Sequence, residues 1–240
     1  MAKTVFCGLI VEHIPAISPI EFPETSGFLD RKRTIVINFG TFFTYTDQDV
    51  EAVSSAISAA RQKILETFQV LWKLPEAAKF TSIIGRYFDS KSDRADILVR
   101  EWIDPPAPAV LQHPNVACFM SHASANSVIE AAYAGVPQIR LAFWLDLFTL
   151  AARSEWAGIG IYANKGKEPE IDTEMLTDAI VRVSNNRPGT EGALLKLKAE
   201  ELGRKVRASD GVGTVSSTIL KAAMGKDDEI LFHTPCLTSE

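Results

Sequence analysis

The residues best suited to chemistry crowd into one stretch, Trp102 to Asp146, which reads WIDPPAPAVLQHPNVACFMSHASANSVIEAAYAGVPQIRLAFWLD. Within it, His122, Ala123, Ser124, Ala125, Asn126 and Ser127 make a small polar turn that leads from an apolar strand pattern straight into a helical one. Small side chains let a ligand reach the backbone, and the free N–H groups and dipole of a helix start favour an anion there. A phosphate suits the place, with His122, Asn126 and Ser127 able to add donors. A local reading competes: Ser127 and Glu130 have the S-x-x-E spacing of a capping box, which satisfies the helix's own N–H groups. Trp102, ahead of a proline-rich loop, either stacks on a flat base or packs in the core. Gly40-Thr41 offers a backbone amide and a hydroxyl after another strand pattern, and Asp146 either meets a ligand or complements a helix dipole.

Other chemistries lack their residues. No H-E-x-x-H, G-x-x-x-x-G-K-[ST] or G-x-S-x-G occurs, and Gly158-Ile159-Gly160 and Gly211-Val212-Gly213 are incomplete dinucleotide fingerprints. The cysteines Cys7, Cys118 and Cys236 are far apart and odd in number, which argues against a disulfide framework or a zinc site and for a reducing cytoplasm. With 25 Lys+Arg against 30 Asp+Glu the chain carries a net charge of -5, so there is no basic footprint for nucleic acid. No apolar run approaches the roughly 18 residues of a membrane span. The opening MAKTVFCGLIVEHIP, broken by Glu12, His13 and Pro15, is not expected to be a signal peptide.

These residues need elements to hold them. Strands are expected at 34–39, 68–74, 97–103, 116–121, 138–141 and 159–162, where short apolar or β-branched runs end at turn residues. Helices are expected at 47–65, with Asp47 as N-cap, at 126–134 up to Gly135, and at 145–157, then at 173–184, 191–207 and 213–224. The polar stretch Asp89–Asp96 reads as a surface loop, and Pro105, Pro106 and Pro108 as a block to regular structure. Strands alternating with helices at this spacing predict an α/β fold with a doubly wound, Rossmann-like parallel sheet, whose ligands bind beyond the carboxyl ends of the strands. Residues 1–33 read as a leading linker, 34–225 as the α/β domain and 226–240 as a tail.

The order Trp102, Leu111-Gln112-His113-Pro114, Phe119, His122, Asn126-Ser127, Glu130, Gly135-Val136-Pro137 and Asp146 resembles the nucleotide-sugar signature of UDP-glycosyltransferases of the GT-B fold. The likeness extends over residues 1–225, with INFGT at 37–41 similar to the first strand and phosphate-side loop of that family's C-terminal half. The wording A-N-S-x-x-E-A and A-G-V-P-Q looks most like a divergent, fungal-type branch. The resemblance implies a UDP-sugar donor, with no cofactor and no metal. It places Trp102 on the uracil and Glu130 on the ribose hydroxyls. Gly40, Thr41, His122, Asn126 and Ser127 would lie along the diphosphate, and Asp146 on the sugar. It implies too that the catalytic base and the acceptor pocket belong to an N-terminal half. Ala123 and Ser124 stand where the family usually has two glycines, and Leu147 where it has glutamine; the added Cβ atoms are expected to crowd a phosphate. A non-catalytic UDP-binding protein with a degenerate site is the rival reading.

Overall fold

A computed structural model describes residues 5, 7–11, 14–64 and 67–225; the expected tail 226–240 and the end of the helix expected over 47–65 lie outside them. The strands are β1 (Thr34–Asn38), β2 (Gln69–Lys73), β3 (Ile97–Arg100), β4 (Val116–Ser121), β5 (Gln138–Arg140) and β6 (Gly160–Tyr162). The helices, in chain order, are α1 (Pro23–Leu29), α2 (Asp47–Lys63), α3 (Thr81–Tyr87), α4 (Lys91–Asp96), α5 (Ala107–Leu111), α6 (Ala125–Ala134), α7 (Leu147–Trp156), α8 (Thr173–Ser184), α9 (Glu191–Ala208) and α10 (Gly211–Ala223).

All neighbouring strands run parallel, in the order β3-β2-β1-β4-β5-β6. Parallel strands are covered on both faces, which explains why β1 and β2 are buried almost throughout. Alternate residues serve opposite layers. Ile35, Ile37, Val70, Trp72, Cys118 and Met120 pack with α2 and α8, while Val36, Leu71 and Phe119 face α1, α5 and α6.

The termini of the elements differ from expectation where local hydrogen bonds outweigh composition. The N-cap of α2 is Thr46, not Asp47: its hydroxyl accepts from the Asp49 N–H at 3.2 Å while the Asp49 carboxylate accepts from the Thr46 N–H at 2.8 Å. The supposed loop 89–96 contains α4, capped by Ser90 accepting from the Asp93 N–H at 3.0 Å. Within the proline stretch, α5 starts directly after Pro106, because proline's fixed φ suits a first turn. β3 ends at Arg100 instead of residue 103, so Trp102 lies beyond the sheet. Within residues 1–33, α1 buries Phe28 and Leu29 against the sheet.

At the amino ends of the strands, Asp96 is 2% exposed and accepts from Lys32 at 2.8 Å, Arg31 at 3.3 Å and Arg61 at 3.0 Å. Removing that carboxylate takes the shared partner from three cations, of which Arg31 and Lys32 are partly solvated and Arg61 keeps Asp93 at 3.2 Å. Asp96→Ala is therefore expected to cost about 2 to 3 kcal/mol, near the lower end for a broken buried pair, read as a lower urea midpoint at unchanged m-value.

Candidate nucleotide site at the carboxyl edge of the sheet

The winding of the sheet opens a crevice between β1 and β4, whose crossovers leave toward opposite faces. Gly40 and His122 meet there. Gly40 has φ +81°, and a Cβ on it would sit 2.7 Å from the His122 ring, so both the turn and the histidine require glycine. The Asn38 carboxamide accepts from the Gly40 N–H at 2.9 Å and holds the turn. Phe39, Phe43, Tyr45, Phe143 and Trp144 form an aromatic wall, with Phe43 and Phe143 centroids 4.3 Å apart and Trp144 6.5 Å from the His122 ring. The carboxamide of fully buried Asn164 clamps both the N–H and the C=O of Ala142 at 2.9 Å, fixing the path from β5 to Asp146.

His122 is neutral. Burial and then the nearby charge of Arg140 hold its pKa down to about 4 against an opposing pull from Asp146, with Lys73 adding the least, and its Nδ1 is buried without a partner among the described residues. Behind it, the helix start is built differently from the expected capping box. Ser124, not Ser127, is the N-cap: its hydroxyl accepts from the Ser127 N–H at 3.5 Å and lies 3.0 Å from the Ser127 hydroxyl. Glu130 is therefore released from capping. It is half-buried, has no hydrogen bond among the described residues, and burial raises its pKa against the pull of Arg140.

Ala123 has φ +65° and is fully buried, sharing a small cluster with Ala142, Leu147, Ala151 and Tyr162. Its Cβ thus belongs to the core and does not crowd the crevice. Leu147 packs in the same cluster, so these two departures from the family pattern form one packing unit. Trp102 is 59% exposed, which overturns the core-packing alternative, and the Lys73 ammonium lies 3.8 Å from its ring centroid. Thr41 and Asn126 are exposed and make no side-chain hydrogen bond among the described residues; Asp146 is exposed at the start of α7 without capping it. The structure thus brings Gly40, Asp146 and Lys73 near His122, sets Trp102 against Lys73, and sets Ser127 and Glu130 near Arg140.

Neither Lys73 nor Arg140 was expected to matter. Each is buried at the last position of its strand. The available signal was a charged residue ending an otherwise apolar strand pattern, in VLWK and QIR.

The sequence pattern of the UDP-glucoronosyl and UDP-glucosyl transferase family matches residues 21–195. The chain belongs to this family. Glycosyltransferase sdnJ of Sordaria araneosa is 30% identical over 94% of this chain and 48% of its own length, and UDP glycosyltransferase 9 of Catharanthus roseus is 31% identical over 74% and 36%. The chain spans about half the length, or less, of the curated relatives it matches. The fold is that of UDP-glucose: anthocyanidin 3-O-glucosyltransferase, solved in complex with UDP, with TM-score 0.69 and 20% identity over 90% of this chain and 45% of that one. This likeness agrees with the GT-B, Rossmann-like class expected for the family. Among the described residues no helix is long and apolar enough to cross a membrane.

The depressed histidine has a measurable consequence. Its ordinary pKa is near 6.5 and its folded value about 4, so between those pH values the unfolded chain takes up a proton that the folded chain refuses. Stability from this group is fully present above pH 6.5 and is lost as pH falls toward 4. Urea titrations at pH 7 and pH 5 are expected to show a smaller loss of stability in His122→Asn than in the unsubstituted chain. Gly40→Ala is expected to destabilise by about 1 kcal/mol or more from its φ alone, and to shift the His122 ring resonances in NMR spectra because the new methyl displaces the ring.

Proposed function

We propose that this chain is the donor-binding half of a glycosyltransferase that moves a hexose from a UDP-sugar to a small-molecule acceptor. The observation that carries this reading is the Glu130 carboxylate, released from capping by Ser124 and without a hydrogen bond among the described residues, in one site with the exposed ring of Trp102. A carboxylate can accept from both hydroxyls of a diol, and an exposed indole can stack on uracil with the face that Lys73 leaves free. His122, Asn126, Ser127 and the turn Gly40-Thr41 lie along the diphosphate in this arrangement, and Asp146 reaches the sugar. The Ser127 hydroxyl already pairs with Ser124, so its contribution to phosphate is a shared hydrogen bond.

In the reaction, an acceptor oxygen attacks the anomeric carbon as the bond from that carbon to the UDP oxygen breaks. The acceptor proton goes to a base, and the charge that develops on UDP is met by N–H donors at the start of α6 and by the His122 ring N–H. In this reading the crevice groups among the described residues are taken up by the donor: His122 faces the leaving group, Glu130 the ribose and Asp146 the sugar, while the His113 ring is held by Asp30 at 3.2 Å and by the Asn115 N–H at 3.3 Å at the amino end of β4. Base and acceptor wall come from an N-terminal half, the partner this reading requires. The same reading keeps residues 34–225 as the nucleotide-sugar domain, led by 1–33 and followed by 226–240, and places it in the cytoplasm. The degenerate-site alternative loses much of its motive, since Ala123 and Leu147 fill the core behind the turn.

Calorimetry tests the donor site. UDP is expected to bind the chain, and Glu130→Ala to weaken UDP while sparing inorganic pyrophosphate, because only the ribose contact is removed. Equal loss for both ligands would assign Glu130 to the fold of the turn instead. Ala123→Gly relieves about 1 kcal/mol of strain and gives up about 0.8 kcal/mol of buried methyl, so its stability and its UDP affinity are both expected to stay close to those of the unsubstituted chain. Transfer from UDP-sugars is expected only once an N-terminal half is added; turnover by the chain alone would place the base within it.

A further inference from the structure

The register of the sheet lines up the last residues of its strands. Lys73 pairs with Asn38, Asn38 with Ser121, and Ser121 with Arg140. Each is in phase with Leu71, Val36 and Phe119, whose side chains pack on the α6 side of the sheet. Arg140 is fully buried in this row. Its Nε donates to the Gln138 carboxamide at 2.7 Å, its Nη2 donates to the Ser127 carbonyl at 3.1 Å, and Nη1 contacts the Ser121 hydroxyl. Ser121 Oγ in turn accepts from the Ala123 N–H at 3.3 Å. Every one of these partners is neutral. Among the described residues no carboxylate lies within ion-pair distance of Arg140 or of Lys73. Burial lowers the Arg140 pKa to about 9, which leaves it charged at neutral pH.

A buried charge is normally balanced by an opposite one, because desolvation without compensation is costly. Two of the partners of Arg140 lead into the turn His122–Ser127: the Ser127 carbonyl directly, and Ser121 through the Ala123 N–H. We infer that Arg140 is a positioning residue for the phosphate groups of the donor, attracting them through the turn and setting the turn's shape by holding the Ser127 carbonyl and, through Ser121, the Ala123 N–H. Glu130 acts on Arg140 only from beyond ion-pair distance, and the anion supplies the close balance that the described residues omit. Lys73 performs the same service from the other side of the crevice while it orients Trp102. Nothing in the family signature called attention to either residue, and the inference rests on the donor-site reading above.

The test compares the unsubstituted chain with Arg140→Met and Arg140→Lys by calorimetry against uridine, UDP and inorganic pyrophosphate, and follows the His122 ring by NMR titration. Arg140→Met is expected to weaken UDP and pyrophosphate about ten-fold with uridine unchanged, and to raise the His122 midpoint above about 4. Arg140→Lys is expected to keep most of the UDP preference over uridine. If the methionine variant does not fold, Arg140→Gln, whose amide can still donate to the Ser127 carbonyl, takes its place in the same measurements. An unchanged ratio of UDP to uridine affinity in the neutral variant, with His122 titrating where it did, would overturn the role of Arg140. Pyrophosphate binding without uridine binding in the unsubstituted chain would sink the nucleotide reading and leave Arg140 standing. Binding of neither pyrophosphate nor UDP would overturn both.

Discussion

The parting of β1 and β4 is the constraint on which the site depends. Both strands lie at the centre of the sheet, yet one is followed by a helix on the first face and the other by a helix on the second. No helix can then cover the gap beyond their carboxyl ends, and the chain must line it with turns. The two turns approach so closely that only a residue without a side chain fits opposite His122, which is why Gly40 stands where it does. Parallel pairing adds the second half of the constraint: in-register strands end level, so residues that close them come together however far apart they are in sequence.

Charge is distributed around this gap in an unusual order. The histidine exposed to the crevice is uncharged, and the cations sit behind it in the sheet. A buried guanidinium whose hydrogen bonds are all met by neutral groups keeps its charge but cannot rotate to follow a ligand. Its field is therefore fixed before any anion arrives, the kind of preorganisation that stabilises a developing charge without reorganising around it. The same neutral hydrogen bonds stiffen the first turn of α6, so one side chain links the electrostatics of the crevice to its geometry.

The departures from the family pattern turn out to be compensated in the packing. An alanine in a left-handed conformation is strained, and a leucine in place of an amide removes a polar group. Ala123 and Leu147 nevertheless share a buried cluster, so the methyl that strains the turn also fills space that the leucine helps enclose. Ser124, where the resemblance implies a second glycine, takes over the cap, which leaves Glu130 without a hydrogen-bond partner among the described residues.

Apolar runs and helical spacing in the sequence were enough to determine the six strands, the longer helices and the α/β class, because both periodicities are local consequences of burying one face, whereas the short helices α1, α3, α4 and α5 were not expected. The joint spacing from Trp102 to Asp146 was likewise legible, since the residues of one strand, turn and helix keep fixed offsets. What stayed hidden was decided by partners distant in sequence. Asp96 draws a helix out of a polar stretch by meeting Arg31, Lys32 and Arg61; Trp102 is exposed because β3 stops at Arg100; and Ala123 points into the core because α7 packs behind it. The roles of Lys73 and Arg140 were out of reach for the same reason. Their types are plain in the sequence, but a charge acquires its meaning from what surrounds it, and only the register of five parallel pairings set these two beside the crevice with no carboxylate in ion-pair contact among the described residues.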